Sequence, residues 1–147
     1  MKIRFLKLHP RATMPRRGTD GAAGYDLTAV SCGLNDCGQL VVHSGIAVEL
    51  PPGYCGLLFP RSSVCRTPMR MANAVGVIDC DYRGEMTGVF DLLDDDGLPP
   101  CCAGIYLPEE RFAQLLVMPA LTGVQWVNAR KLSATPRGNG GYGSTGR

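Results

Sequence analysis

The chain carries almost no net charge: 15 Lys and Arg stand against 13 Asp and Glu, a balance of +2 at pH 7. This excludes a protein that coats nucleic acid, where basic residues gather to neutralise many phosphates. It is compatible with one small polyanionic ligand. Long apolar runs are missing too. Met1 to Leu8 is interrupted by Lys2, Arg4 and Lys7, which makes neither a secretory core nor a membrane span. The seven cysteines, Cys32, Cys37, Cys55, Cys65, Cys80, Cys101 and Cys102, are odd in number, irregularly spaced and without a C-x-x-C pair. Neither a disulfide framework nor a zinc site is suggested, and a reducing compartment is the simple inference. The expectation is a soluble, intracellular protein with no nucleic-acid or membrane partner.

Helical periodicity is also scarce, since no window sustains it beyond about three turns. What is abundant is the punctuation of strands, with Gly 19 and Pro 11 in 147 residues. One all-β domain of many short strands joined by turns is therefore expected. Lys2 to Leu8 reads as an opening strand and Pro10 to Asp20 as a polar connection. Cys32 to Gly38 reads as a loop. Leu40–Val42, Ile46–Leu50 and Tyr54–Phe59 read as strands, with Pro51-Pro52-Gly53 turning the chain between the last two. Val64 to Ala72 has room for a helical turn limited by Pro68. Thr87–Leu93 and the run to Val117 are further strands, and Trp126–Lys131 is a candidate last one.

Chemistry gathers on Val75-Gly76-Val77-Ile78-Asp79-Cys80-Asp81-Tyr82-Arg83-Gly84-Glu85-Met86, which reads as two short strands around a tight polar turn. Alternation places Val77 and Asp79 on one face and Ile78 on the other, so a carboxylate ends an otherwise buried surface. Such a group is paired, catalytic, or spent on the backbone of its own turn. In Gly21 to Ala29, Tyr25 and Leu27 point one way and Asp26 the other, where it needs a cationic or donor partner. Pro60-Arg61-Ser62-Ser63 delivers a guanidinium, two hydroxyls and backbone amides to a strand end, either a phosphate cradle or a solvated turn. Gln114 is an amide among apolar neighbours and must find partners. Asp94-Asp95-Asp96 lacks the alternating spacing of a calcium loop and reads as solvated. The tail from Thr135 to Arg147 cannot build a core. It fits a disordered Arg/Gly tail, or an arm that orders over a phosphate with Arg137 and the glycine amides as donors and Tyr142 as a stacking lid.

Taken in order, Ala23-Gly24-Tyr25-Asp26-Leu27, Pro60-Arg61-Ser62-Ser63, Gly76 to Glu85, Arg111-Phe112-Ala113-Gln114-Leu115 and Arg137 to Gly146 resemble the five motifs of the trimeric deoxyuridine triphosphatases. The resemblance implies a jelly-roll-like, distorted β-barrel over residues 1–134. It also implies a flexible Gly-rich arm over 135–147 and a homotrimer whose active sites are each built from all three chains. It implies hydrolysis of dUTP to dUMP and pyrophosphate with Mg²⁺. Asp79 would activate the water that attacks the α-phosphorus in line. Tyr82 would lie against the deoxyribose and exclude a ribose hydroxyl, while Asn73 and the hairpin backbone at Gly76 would read uracil. Arg61, Ser62, Ser63 and Gln114 would hold phosphates. Asp26 would support the site near the metal, through water or a salt bridge, without ligating it directly. The arm would close with Arg137 on the γ-phosphate, Tyr142 on the base, and Gly143 and Ser144 beside it.

Ser63 stands where many members of that family have Gly, Tyr142 replaces the commoner Phe, and Phe112 replaces an aliphatic residue. Arg61-Ser62-Ser63-Val64-Cys65-Arg66 also resembles the dCTP deaminase branch of the same fold. That branch places a Glu where this chain has Val89, so the deaminating group is missing. A non-catalytic trimer serving as a scaffold is the other alternative, and the long segment from Asp94 to Pro108 leaves room for an additional protein partner.

Overall fold

The computed structural model describes residues 1–93, 106 and 108–141. The acidic run from Asp94, Cys101 and Cys102, and Tyr142, Gly143 and Ser144 of the arm lie outside them. Among the described residues ten strands form: β1 (Arg4–Lys7), β2 (Tyr25–Thr28), β3 (Ser31–Leu34), β4 (Leu40–His43), β5 (Ile46–Glu49), β6 (Tyr54–Pro60), β7 (Met69–Met71), β8 (Gly76–Ile78), β9 (Thr87–Leu92) and β10 (Arg111–Pro119). One sheet runs β2-β10-β6-β8, a second β3-β4-β9-β7, and β1 pairs with β5. Every one of these pairings is antiparallel. This is the expected all-β class.

The two larger sheets supply the core. Leu40, Val42 and Phe90 come from one, and Leu27, Leu58, Phe112 and Leu115 from the other, all buried. Tyr106 bridges Phe90 and Phe112, with ring centroids 5.7 and 6.1 Å away. Phe112 and Ala113 are adjacent yet both fully buried, which strict alternation forbids. A β-bulge explains it: the register against β2 shifts between Arg111, opposite Thr28, and Ala113, opposite Leu27. The extra residue turns Phe112 inward and sets Gln114 opposite Asp26.

Four sequence expectations change. Cys32 lies in β3 rather than in a loop, because Asn35 closes a hairpin to β4. Its Oδ1 accepts the amides of Cys37 and Gln39 at 3.0 and 2.9 Å, and Gly38 takes the left-handed conformation the turn needs (φ +74°). The helical turn expected over Val64–Ala72 is a 3₁₀ turn at Ser62–Arg66. Thr67 stops it by donating both its amide and its hydroxyl to the Val64 carbonyl, and Pro68 leads into β7. Trp126–Lys131 is not a strand: Trp126 is 95% exposed, and no described strand lies beside the segment to complete a ladder. Finally, the face shared by Val77 and Asp79 is exposed, Val77 at 63%, and Gly76 and Ile78 are the buried residues of β8.

Candidate active site

Two clefts carry Arg61, Ser63, Asn73, Gly76, Asp79 and Tyr82 of the residues singled out by sequence. The first, about 220 Å³, is lined by Leu58, Asn73, Gly76, Val77, Ile78, Asp79, Tyr82, Glu85 and Thr87. Pairing of β8 with β6 sets Gly76 opposite Leu58, and a Cβ on Gly76 would come within 3.2 Å of the Leu58 Cβ and 3.6 Å of Asn73 Nδ2. Glycine is thus what lets the backbone and Asn73 share this small space. Ala74, between them, takes a positive φ of 58°, so the turn that presents Asn73 is strained as well as tight.

Asp79 follows β8 directly and lines this cleft. The Tyr82 amide donates to the Asp79 carbonyl at 3.2 Å, closing the turn with backbone alone. The Asp79 side chain is not spent on that turn, and no ion pair or hydrogen bond to its carboxylate is found among the described residues. An exposed carboxylate without a protein partner is free to accept a proton or a water. Tyr82 folds back over Gly84, where a Cβ would lie 2.3 Å from its hydroxyl oxygen, and that hydroxyl donates to the Glu85 carbonyl at 3.0 Å. The hydroxyl end of the ring therefore rests on the turn while the residue stays 43% exposed.

The second cleft, about 410 Å³, is lined by Arg61, Ser63, Arg66, Thr67, Tyr106, Glu110 and Arg111, and shares no residue with the first. Arg61 precedes the 3₁₀ turn in an extended conformation with no side-chain cap. The first amides of that turn, at Ser62 and Ser63, therefore have no intrahelical acceptor. Arg61 Nε donates to Asp26 Oδ1 and Arg111 Nη1 to Asp26 Oδ2, each at 3.0 Å. Asp26 is thus the paired carboxylate that its place on β2 required, and it holds two guanidiniums beside the cleft. Arg111, which the sequence leaves without a role, stands just before the bulge and reaches Asp26 by that bond. Burial, the larger influence, pushes the Tyr106 phenol above its ordinary range against the opposing charge of Arg61.

Gln114 and Ser62 lie outside both linings. Gln114 is half-buried at the root of the arginine turn, where its Nε2 donates to the Pro60 carbonyl at 3.3 Å. Ser62 is exposed at the start of the turn, and its carbonyl faces the Cys65 thiol at 2.9 Å. Arg137 lines neither cleft; its Nε donates to the Gly140 carbonyl at 3.0 Å within its own turn. Val89, where the deaminase branch needs a Glu, pairs with Val41 inside a sheet. Among the described residues no group of three or more His, Cys, Asp or Glu comes together, and both oxygens of Asp26 already face guanidiniums. The described residues of one chain therefore do not form a protein-held Mg²⁺ cage.

A family model described as dUTPase matches residues 10–93. The chain is 38% identical over 149 residues to the deoxyuridine 5'-triphosphate nucleotidohydrolase of Hydrogenobaculum sp., covering 99% of each. It is similar in fold to a mutant dUTPase of Staphylococcus bacteriophage 80alpha solved with dUpNHpp, at TM-score 0.83, 26% identity and 99% coverage of both chains. The dUTPase of phage phi11 of S. aureus, solved with a structural Mg(II) ion, matches at TM-score 0.75 over 91% of this chain and 100% of that one. At 22% identity it speaks for the fold alone. Sheets, clefts and likenesses together define an all-β enzyme of the nucleotidohydrolase class. Within that class, the chain belongs to the dUTPase family.

Proposed function

We propose that the protein hydrolyses dUTP to dUMP and pyrophosphate, and that it does so as a homotrimer. The observation that carries this reading is the unpaired Asp79 carboxylate in one cleft with Asn73, Gly76 and Tyr82, within a dUTPase-family chain. Asp79 accepts a hydrogen bond from a water and aims it at the α-phosphorus, taking its proton as the P–O bond forms and pyrophosphate leaves on the opposite side. Tyr82 offers its free ring face to deoxyribose, where a ribose 2'-hydroxyl would collide. Asn73 and the Gly76 backbone take the uracil edge, and the tight space between Gly76 and Leu58 supports rejection of a larger base.

Phosphates are held by Arg61, Ser62 and Ser63, with Gln114 bracing the turn through Pro60. Arg61 and Ser63 line the other cleft, and we take a complete site to combine the hairpin of one chain with the arginine turn of another. A third chain contributes the arm: Arg137 to the γ-phosphate, and Tyr142, Gly143 and Ser144 over the nucleotide. When bound with the triphosphate, Mg²⁺ would screen its charge, and Asp26 would support the site from nearby, through water and through the two arginines, without ligating the metal directly. No described helix is long and apolar enough to cross a membrane, and an intracellular, soluble enzyme is the reading we adopt. Incubation with dUTP, dCTP, UTP and dTTP plus Mg²⁺, following pyrophosphate and ammonia, tests the proposal. Pyrophosphate from dUTP alone is expected, and its absence sinks the reading.

A further inference from the structure

We propose that Glu85 is the positioning residue of the site, a clamp between the body of the fold and the turn that carries Asp79 and Tyr82. The inference rests on the function proposed above and adds a residue to which no role was assigned. Glu85 lies between that turn and β9. Its Oε2 is 2.9 Å from His43 Nδ1, and its Oε1 accepts the Gly45 amide at 2.6 Å. The next residue is fixed from the same place. The buried Ser44 hydroxyl donates to the Met86 carbonyl at 2.6 Å and accepts the Ile46 amide at 3.1 Å, while the Met86 amide donates to the Ile46 carbonyl at 2.9 Å. Gly45 itself cannot shift easily. It has φ +66°, and a Cβ there would meet His9 Cβ at 2.8 Å and Ala12 Cβ at 3.0 Å. Four consecutive residues, from His43 at the end of β4 to Ile46 at the start of β5, therefore hold two consecutive residues of the hairpin.

The clamp reaches the site through Tyr82. The Tyr82 hydroxyl donates to the Glu85 carbonyl, and its amide donates to the Asp79 carbonyl, so Tyr82 is the crossbar of the turn and Glu85 its anchor. Arg83 adds bonds to the Cys80 and Tyr82 carbonyls, both inside the turn. Its contact outward, to Glu49, is long at 3.9 Å. Reacting groups must be held to within about half an ångström, and a misplacement of about 1 Å costs on the order of a hundredfold in rate. A Tyr82 ring released from Glu85 would also lose the fixed plane with which it screens the sugar.

Glu85→Gln separates position from charge. Its carbonyl oxygen can still accept the Gly45 amide, and its NH₂ can donate to Nδ1 of a neutral His43, so the geometry survives while the negative charge does not. The experiment compares Glu85→Ala and Glu85→Gln with the wild type by steady-state hydrolysis of dUTP and UTP and by hydrogen exchange of residues 79–87. Glu85→Ala is expected to lose about a hundredfold in kcat, to lose about tenfold in its preference for dUTP over UTP, and to exchange faster across the turn. Glu85→Gln is expected within about threefold of the wild type on all three. Wild-type kcat and selectivity in Glu85→Ala overturn the proposal whatever the exchange shows. So does a Glu85→Gln enzyme as impaired as Glu85→Ala, which would make the charge itself the functional element. If Glu85→Ala does not fold, His43→Ala removes one of the two anchors. A selectivity loss of about threefold then supports the clamp, and unchanged selectivity overturns it. A wild type inert on dUTP refutes the proposed function instead; exchange that quickens in Glu85→Ala but not in Glu85→Gln would still show the clamp.

Discussion

The turn from Asp79 to Glu85 and the segment from Leu121 to Gly141 both carry groups assigned to the same reaction, and they are held in opposite ways. Around the turn, the backbone bond between Tyr82 and Asp79, the Tyr82 hydroxyl, the Glu85 carboxylate and the buried Ser44 fix a short stretch to the body of the fold. Beyond Thr122, the hydrogen bonds found are local ones, such as the Gly138 amide to Thr135 and the Gly140 amide to Arg137. Every residue from Leu121 to Asn139 is exposed, including Leu121, Trp126, Val127 and Leu132. Large apolar side chains left in water forgo about 1.5–3 kcal/mol each relative to burial. The hairpin is fixed within one chain, whereas no described residue buries the segment; in the proposed trimer a second copy would supply the surface that covers it.

The largest expected effect breaks the hairpin's chemistry without touching its structure. Asp79→Asn is expected to lower kcat by about a thousandfold while a non-hydrolysable dUTP analogue still binds, because the side chain has no partner whose loss would disturb the turn. Ending the chain before Arg137 should cost on the order of a hundredfold in kcat/KM with an unchanged melting temperature, since the removed residues carry none of the described core. Arg61→Ala should raise KM and also destabilise the fold by about 2 kcal/mol. Asp26, whose side chain is 14% exposed, would keep Arg111 as its one cation. Thermal melts beside kinetics separate the two consequences. The smallest effect is expected at Tyr106→Phe. The Tyr106 hydroxyl is buried with no partner among the described residues, so its removal should leave stability unchanged or raise it by up to about 1 kcal/mol. Burial raises its folded pKa, so its contribution is full below the ordinary tyrosine range and falls as pH rises through the folded value. The variant should lack that alkaline decline in a pH series of melts.

Much of the hairpin's meaning was legible in sequence because it is local. Three apolar residues running into Asp79, and Tyr82 and Gly84 within one turn, state their chemistry over a few positions. Alternation gave the relative faces of Val77, Ile78 and Asp79 but not which face is buried, since the sheet opposite decides that. The requirement that Asp26 be paired was legible as well. Its two partners lie 35 and 85 residues away, and the second stands beside a bulge between Arg111 and Ala113 that no periodicity announces. Trp126–Lys131 shows the converse. Its composition suits a strand, but a strand exists only where a neighbour supplies the ladder, and none of the described strands does. Glu85 lies within the Gly76–Glu85 motif, but its role is not legible there because its partners, His43 and Gly45, lie outside every motif.

The central claim is that one active site is shared between chains, and mixing two inactive variants tests it. Asp79→Asn and the chain ending before Arg137 would be given different affinity tags and co-expressed, and oligomers carrying both tags purified and assayed on dUTP. If hairpin and arm come from different chains, each doubly tagged trimer restores one site, about a third of the total, and activity should rise well above that of either parent. Doubly tagged oligomers no more active than the parents would contradict the shared site.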